Sequence, residues 1–314
     1  MDPLPEALRP IPGRSRWAAW GTALRPEQWL KNTVVAAGTV FGLRLADPSA
    51  WLAMLAAFCV FSAASSGVYL VNDVVDRERD RGHPSKRRRP IAAGEISPGA
   101  ALWAGGLLSA IAFGGALRLA PGVAAAVGAY LLLNVLYSLV LKHVPIVDVI
   151  AIALGFVLRA AAGAAAVSVV ISPWLVICTF TLMLFLAIAK RRAELAAAAP
   201  ASPTRRSSRG YSLELLDQMI TVLVATTLVS YCLYTLSPDV RAKLGADHLY
   251  LTVPFVVYGI FRYLVLVRET RGTENPARAV LGDRPLLLTL ALWSATVVAL
   301  LYSGAGAGSR AAGG

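Results

Sequence analysis

Val71 to Gly94 reads VNDVVDRERDRGHPSKRRRPIAAG and sets an acidic cluster beside a basic one at the end of a long apolar run. Asn72, Asp73, Asp76 and Asp80 form the pattern N-D-x-x-D-x-x-x-D. At about 100° of turn per residue, a helix holds all four within an arc of roughly 100° and turns Glu78 away. Three carboxylates on one helical face repel each other. A divalent metal with oxygen ligands would relieve that repulsion, which makes these four the candidate metal ligands. Lys86, Arg87, Arg88 and Arg89 follow at once, and such groups bind phosphates. Acid for a metal beside base for phosphate points to a site for a metal-bound diphosphate.

Other polar residues stand where membrane topology alone does not need them. Tyr137 and Lys142 close one later apolar segment, and Lys190, Arg191, Arg192 and Glu194 close another. Asp148 and Arg159 fall inside the segment between those two. They are about 16 Å apart along one helix, too far to pair with each other. A charge at the depth of Arg159 faces a bundle interior or a wet cavity. Lys31 sits in the opening turn of the first apolar segment, and Arg262 lies in the second half of a late one. Plain pairings compete with these readings. Lys190–Glu194 and Asp73–Arg77 both have i, i+4 spacing, but the second leaves Asp76 and Asp80 without so simple a partner. His83 and His143 have no second His or Cys at zinc spacing, and His83 before Pro84 shapes a turn. Cys59, Cys178 and Cys232 lie in apolar segments, and an odd count gives no disulfide framework.

The elements that must position these groups are membrane helices. The 314 residues are 57% hydrophobic and 15% charged, which is the composition of a polytopic membrane protein rather than a soluble core. Nine apolar segments are expected, near 28–45, 49–71, 98–119, 120–140, 146–168, 171–189, 213–236, 249–267 and 284–303. The first is the weakest, because Lys31 and Asn32 interrupt its start. Short connections at Pro121, Pro145 and Ser172-Pro173 imply helical hairpins. An all-α bundle follows, since lipid leaves backbone groups no other partner. It forms one domain over 25–303, with flexible tails at 1–24 and 304–314 and a flexible stretch at Ala196–Arg209. The Pro- and Arg-rich start lacks the compact apolar core of a signal peptide.

With the N-terminus inside, only Arg44, Arg118, Arg241, Lys243 and Arg310 of the 30 Lys and Arg fall outside. That positive-inside asymmetry sets the N-terminus in the cytoplasm, the C-terminus outside, and the Asp73–Asp80 cluster on the cytoplasmic face. The net charge of +12 is then a property of that face. Arg9, Arg14, Arg16, Arg205, Arg206 and Arg271 need no role beyond topology and attraction to anionic lipid. Basic residues spread over membrane loops argue against nucleic-acid binding.

N-D-x-x-D-x-x-x-D after a second membrane segment resembles the first aspartate-rich motif of the UbiA superfamily. Tyr137-Ser138-x-x-x-Lys142 is similar to that superfamily's Y-x-x-x-K element. Ordinary members move a prenyl group from a prenyl diphosphate to an aromatic acceptor, with a second D-x-x-x-D motif after the sixth segment. This chain departs there: between Lys190 and Leu216 it has no Asp, and it reads KRRAEL at Lys190–Leu195. A narrower resemblance is to the decaprenyl-phosphate phosphoribosyltransferase family. It rests on LRPEQWLKN at Leu24–Asn32, VYLVNDVVDRERDRGHPSKRRRPIAAG at Val68–Gly94 and YSLVLKH at Tyr137–His143. GFVLRAAAG at Gly155–Gly163, KRRAEL, Arg262-Tyr263 and Asp283-Arg284 extend it to nearly the whole folded part.

That resemblance implies a Mg²⁺-dependent transfer of 5-phosphoribose from phosphoribosyl diphosphate (PRPP) to a polyprenyl (decaprenyl) phosphate. The products are the phosphoribosyl lipid, which in actinobacteria feeds the arabinose donor for cell-wall arabinan, and diphosphate. Asp73, Asp76, Asp80 and Lys31 are the implied catalytic groups, with Asn72, Asp73, Asp76 and Asp80 on the metal. Lys86, Arg87 and Arg89 are expected on PRPP phosphates. Lys31, Lys142, Arg159, Lys190 and Arg191 are expected on the ribose 5-phosphate or the lipid phosphate, with Tyr137 beside them and Glu194 on a ribose hydroxyl or on Lys190. The lipid tail is expected in an apolar groove between helices. The localisation implied is the bacterial plasma membrane, and a homo-oligomer is compatible with it. Two competing readings share parts of this pattern: an aromatic prenyltransferase, and a transporter of an anionic lipid.

Overall fold

The computed structural model describes residues 15–83, 86–197, 210–269 and 282–311. Twelve α-helices follow one another among them: α1 (Arg16–Ala23), α2 (Ala37–Phe41), α3 (Pro48–Val75), α4 (Arg77–Arg81), α5 (Pro98–Leu119), α6 (Pro121–Leu139), α7 (Val147–Ala166), α8 (Pro173–Ala197), α9 (Leu213–Leu236), α10 (Pro238–Leu244), α11 (Val253–Glu269) and α12 (Arg284–Ala311). A 3₁₀ helix, Pro26–Ala36, runs into α2, and a 3₁₀ turn covers Lys86–Arg88. The expected all-α membrane bundle is what forms. Eight helices among the described residues are long and apolar enough to cross a bilayer. Arg9, Arg14, Arg205, Arg206 and Arg271, and most of the 196–209 stretch, lie outside the described residues.

The first apolar segment departs from the expected ninth α-helix. It is the 3₁₀ helix Pro26–Ala36 followed by the five residues of α2. A 3₁₀ helix rises about 2 Å per residue, so the two pieces together reach about 30 Å, a bilayer core's thickness. Gly163 and Gly38 explain how it packs. A Cβ on Gly163 would enter the Val35 backbone, and one on Gly38 would enter that of Gly163 and Ala164. Two small residues let this segment lie directly on α7. The expected N-terminal tail likewise holds structure: α1 starts where Ser15 Oγ accepts from Ala18 N, and it buries Ala19 and Ala23. At the other end, α12 runs on to Ala311, past Ser303 where the sequence suggests a loose tail.

Helix starts follow local chemistry. Pro48, Pro98, Pro121 and Pro173 each open a helix, where a missing N–H costs nothing. Asp47, Ser97 and Ser212 accept from the freed backbone N–H groups ahead of α3, α5 and α9. Successive helices then pack on each other from α5 through α9, and α3 lies on α5. Two cores result. Phe61, Val123, Val127 and Tyr130 centre the one between α3, α5, α6 and α7. Phe185, Ile188, Leu216, Tyr263 and Leu286 centre the one between α8, α9, α11 and α12. This alternation brings the ends of α3, α6 and α8 and the starts of α7 and α9 to one end of the bundle, where the charged residues meet.

Candidate functional site

The acidic motif does not sit on one helix. α3 ends at Asp76, whose φ of −91° and ψ of 3° break the helical path, and Asp80 rides on the separate short α4. The expected single arc is therefore corrected, yet the carboxylates still converge. Asp73 and Asp80 are both buried. Arg89 Nη1 donates to Asp73 Oδ1 at 3.1 Å and to Asp80 Oδ2 at 2.6 Å. Arg25 Nη2 donates to the same Asp73 Oδ1 at 2.5 Å. Lys142 Nζ donates to Asp76 Oδ1 at 2.8 Å, and Ser138 Oγ donates to Asn72 Oδ1. The plain Asp73–Arg77 pairing does not form; Arg77 lies by Glu78 instead, at 3.8 Å.

These contacts test whether the donor set suits a metal. As placed, no group of three or more His, Cys, Asp or Glu among the described residues is arranged around a metal position. Protein cations hold those oxygens. One guanidinium nitrogen bridges two buried carboxylates from different helices, so hard oxygen donors do converge on a positive centre. That is the donor chemistry a Mg²⁺ ion takes. Asp73 and Asp80 thus offer carboxylate oxygens of that chemistry at a position that Arg89 holds.

The basic residues divide by partner. Lys86, Arg87 and Arg88 make the 3₁₀ turn, and His83 Nδ1 accepts the Lys86 N–H at 3.4 Å, which ties the turn's start. Lys31 is half-buried in the electrostatic field of Arg25 and Arg159. Lys142 is buried against Asp76. Lys190 is 44% exposed at 3.5 Å from Glu194.

Arg159 is buried and engaged by protein groups. It donates to Asn32 Oδ1 at 2.7 Å, Gly155 O at 2.7 Å and Tyr130 OH at 3.0 Å. Its guanidinium also lies over the Tyr130 ring at 4.6 Å and the Phe156 ring at 5.2 Å. Asn32 in turn donates to Ser62 Oγ at 3.1 Å. Through Asn32, Arg159 ties the first segment to α7.

Asp148 and Arg191 form the second charged centre. Arg191 Nε donates to Asp148 Oδ2 at 3.0 Å, and Nη2 lies 2.8 Å from the same oxygen as an ion pair. Arg191 Nη1 donates to Glu194 Oε2 at 2.8 Å. Tyr211 OH donates to Asp148 Oδ1 at 3.1 Å and accepts the Ile146 N–H at 2.6 Å. Burial pushes the Tyr211 phenol up to about 12, so it keeps its proton. Tyr137 lies in the last turn of α6. Arg192 pairs with Asp217, and Arg262 Nη2 donates to Asp283 Oδ2 at 2.7 Å. That bond draws the Asp283 carboxyl below its usual range. Asp283 also accepts from Leu286 N and so caps α12. Arg25, Ser138 and Tyr211 are the participants that sequence reasoning leaves out. Arg25 was visible within LRPEQWLKN, but 48 residues separate it from Asp73.

A cavity of about 700 Å³ runs between the first segment and α8, α9, α11 and α12. Phe41, Trp174, Leu182, Phe255, Trp293 and Val297 line it, so it offers hydrocarbon contacts. Phe185 also lines it, as do Tyr263 and Leu286, which are close in the chain to Arg262 and Asp283.

Comparison with known proteins agrees with this architecture. The model of the UbiA prenyltransferase family matches residues 33–295. A protein of Mycobacterium tuberculosis named decaprenyl-phosphate phosphoribosyltransferase is 34% identical over 287 residues, 90% of this chain and 94% of its own length. The Corynebacterium glutamicum protein of that name is 33% identical over 291 residues, covering 89% and 86%. A UbiA homolog from Archaeoglobus fulgidus, solved with DMAPP and Mg²⁺, superposes with a TM-score of 0.65 at 17% identity, over 91% of this chain and 98% of that one. That similarity is one of fold.

Proposed function

Because the chain belongs to the UbiA prenyltransferase family, we propose that it transfers 5-phosphoribose from PRPP to a polyprenyl phosphate. The products are the phosphoribosyl lipid and diphosphate. The observation that carries this reading is the charge asymmetry of the site. One half is acidic, at Asp73, Asp76 and Asp80, and the other presents Lys190, Arg191 and Glu194 where a second aspartate motif would stand. Similarity to relatives named for this activity supports it. The apolar cavity supports a lipid substrate, since it has the size and lining of a ligand pocket.

In this reading Asp73 and Asp80, with Asp76 and Asn72, would hold Mg²⁺, which would supply positive charge against the diphosphate leaving group. Arg89, Arg87 and Lys86 bind the PRPP phosphates. The carboxylates favour the positive charge that grows on the ribose ring as the C1–O bond loosens. The lipid phosphate is already an anion at neutral pH. It attacks C1 from the face opposite the diphosphate and inverts the anomeric centre without a strong general base. Lys190 and Arg191, held by Glu194 and Asp148, guide that anion. Lys31 and Lys142 complete the positive surround. The tail lies in the cavity between α8, α9, α11 and α12. The site faces the cytoplasm at the plasma membrane, in accord with the excess of Lys and Arg at that end.

The test is direct. Membranes containing the protein receive labelled PRPP, polyprenyl phosphate and Mg²⁺. A labelled, chloroform-soluble lipid is expected; its absence, with product formed instead from a prenyl diphosphate and an aromatic acid, would favour the aromatic prenyltransferase.

A further inference from the structure

Arg25 and Arg89 occupy the oxygens that a metal would use. Arg89 Nη1 sits between Asp73 Oδ1 and Asp80 Oδ2, and Arg25 Nη2 shares Asp73 Oδ1. Lys142 neutralises Asp76. Arg79 lies 3.7 Å from Asp76 as well, so cationic side chains of the protein itself balance all three carboxylates. Arg25 is held unusually. Its backbone lies in the left-handed region, φ 53° and ψ 59°, which few non-glycine residues enter. Its guanidinium rests over the Tyr69 ring at 4.9 Å. The ring gives it a platform that does not depend on Asp73.

We infer that Arg25 and Arg89 are exchange cations: they hold Asp73 and Asp80 in the resting site and pass to the diphosphate when metal and diphosphate arrive together. This rests on the proposed metal–diphosphate site and adds to it a binding order. A lone metal ion would have to expel a guanidinium and leave it beside another cation. A lone diphosphate would meet buried carboxylates. When both arrive, each carboxylate trades an arginine for the metal, and each arginine trades a carboxylate for a phosphate oxygen. Charge pairing is kept throughout. Arg25 and Arg89 therefore act as a lock against metal alone and as ligands for the paired substrate.

The test uses the full-length protein in detergent and reads binding, not turnover. Mn²⁺ is titrated by electron paramagnetic resonance, and labelled diphosphate by equilibrium dialysis with and without Mg²⁺. Wild type should retain diphosphate only with Mg²⁺ and bind Mn²⁺ poorly alone. Arg25→Gln and Arg89→Gln should tighten Mn²⁺ binding without diphosphate by roughly tenfold or more, and weaken Mg²⁺-dependent diphosphate binding by a similar factor. Arg25→Lys, which keeps the charge, should stay near wild type for Mn²⁺. Unchanged or weaker Mn²⁺ binding in both Gln variants would overturn the inference. If those variants fail to fold, tight Mn²⁺ binding by wild type without diphosphate would overturn it, and weak binding that diphosphate strengthens would uphold it. The outcome is separable from the substrate reading. Opposed shifts without any phosphoribosyl lipid would sink the PRPP assignment alone, and lipid product without them would sink this inference alone.

Discussion

Asp148 and Arg191 are interdependent, but unequally so, and the inequality is measurable. Arg191→Met removes the Nε–H donor to Asp148 Oδ2 at 3.0 Å and the guanidinium charge whose Nη2 lies 2.8 Å from that oxygen. Asp148 has no solvent exposure, so its carboxylate is left with only the Tyr211 hydroxyl at 3.1 Å. Stripping one partner from a buried pair costs about 3–5 kcal/mol. Asp148→Asn is milder, because Arg191 keeps Glu194 at 2.8 Å, and that carboxylate is 31% exposed and still hydrated. The loss there is closer to about 1–3 kcal/mol. The two variants should therefore differ by about 2 kcal/mol, with Arg191→Met the less stable. Asp148→Leu combined with Arg191→Met should recover part of the loss, since an apolar pair leaves no buried charge. The assay is the thermal denaturation midpoint of purified protein in detergent at one fixed scan rate, because such unfolding is often irreversible. If Asp148→Asn is as damaging as Arg191→Met, or the double variant shows the simple sum, the reasoning fails.

Three other outcomes are expected. Gly163→Val places a side chain in the Val35 backbone and should abolish accumulation of folded protein, read by size-exclusion profile; a monodisperse peak would contradict the packing described. Tyr211→Phe removes the hydroxyl that joins Ile146 to Asp148 and should cost about 1–3 kcal/mol, seen as a lowered denaturation midpoint; an unchanged midpoint would speak against that link. Leu182→Trp fills part of the apolar cavity and should raise KM for polyprenyl phosphate several-fold while leaving KM for PRPP near wild type; a shift in the PRPP value instead would place the lipid elsewhere.

Much of this architecture was legible because local chemistry marks it. Pro48, Pro98, Pro121 and Pro173 announce helix starts, and long apolar runs announce spans. Asp73, Asp76, Asp80 and Lys142 stand out as charges at the ends of apolar helices; Lys142 does meet Asp76, and Arg89 joins Asp73 to Asp80. What escaped depends on partners far apart in the chain. Asp148 and Arg191 are 43 residues apart, and Arg159 and Asn32 are 127 apart. No periodicity encodes such pairs. The bonds of Arg159 to Asn32 and Tyr130 cannot be read from its place in an apolar run. The break at Asp76 and the 3₁₀ path of Pro26–Ala36 are equally silent.

The central claim is transfer of phosphoribose to a lipid phosphate at the Asp73–Asp80 site, and mass spectrometry of the lipid product tests it most directly. Wild-type membranes supplied with PRPP, polyprenyl phosphate and Mg²⁺ should form a lipid heavier than the substrate by one phosphoribosyl group, and Asp73→Asn membranes should form none. A wild-type reaction that leaves the polyprenyl phosphate mass unchanged, or an Asp73→Asn variant that matches wild type, would contradict the account.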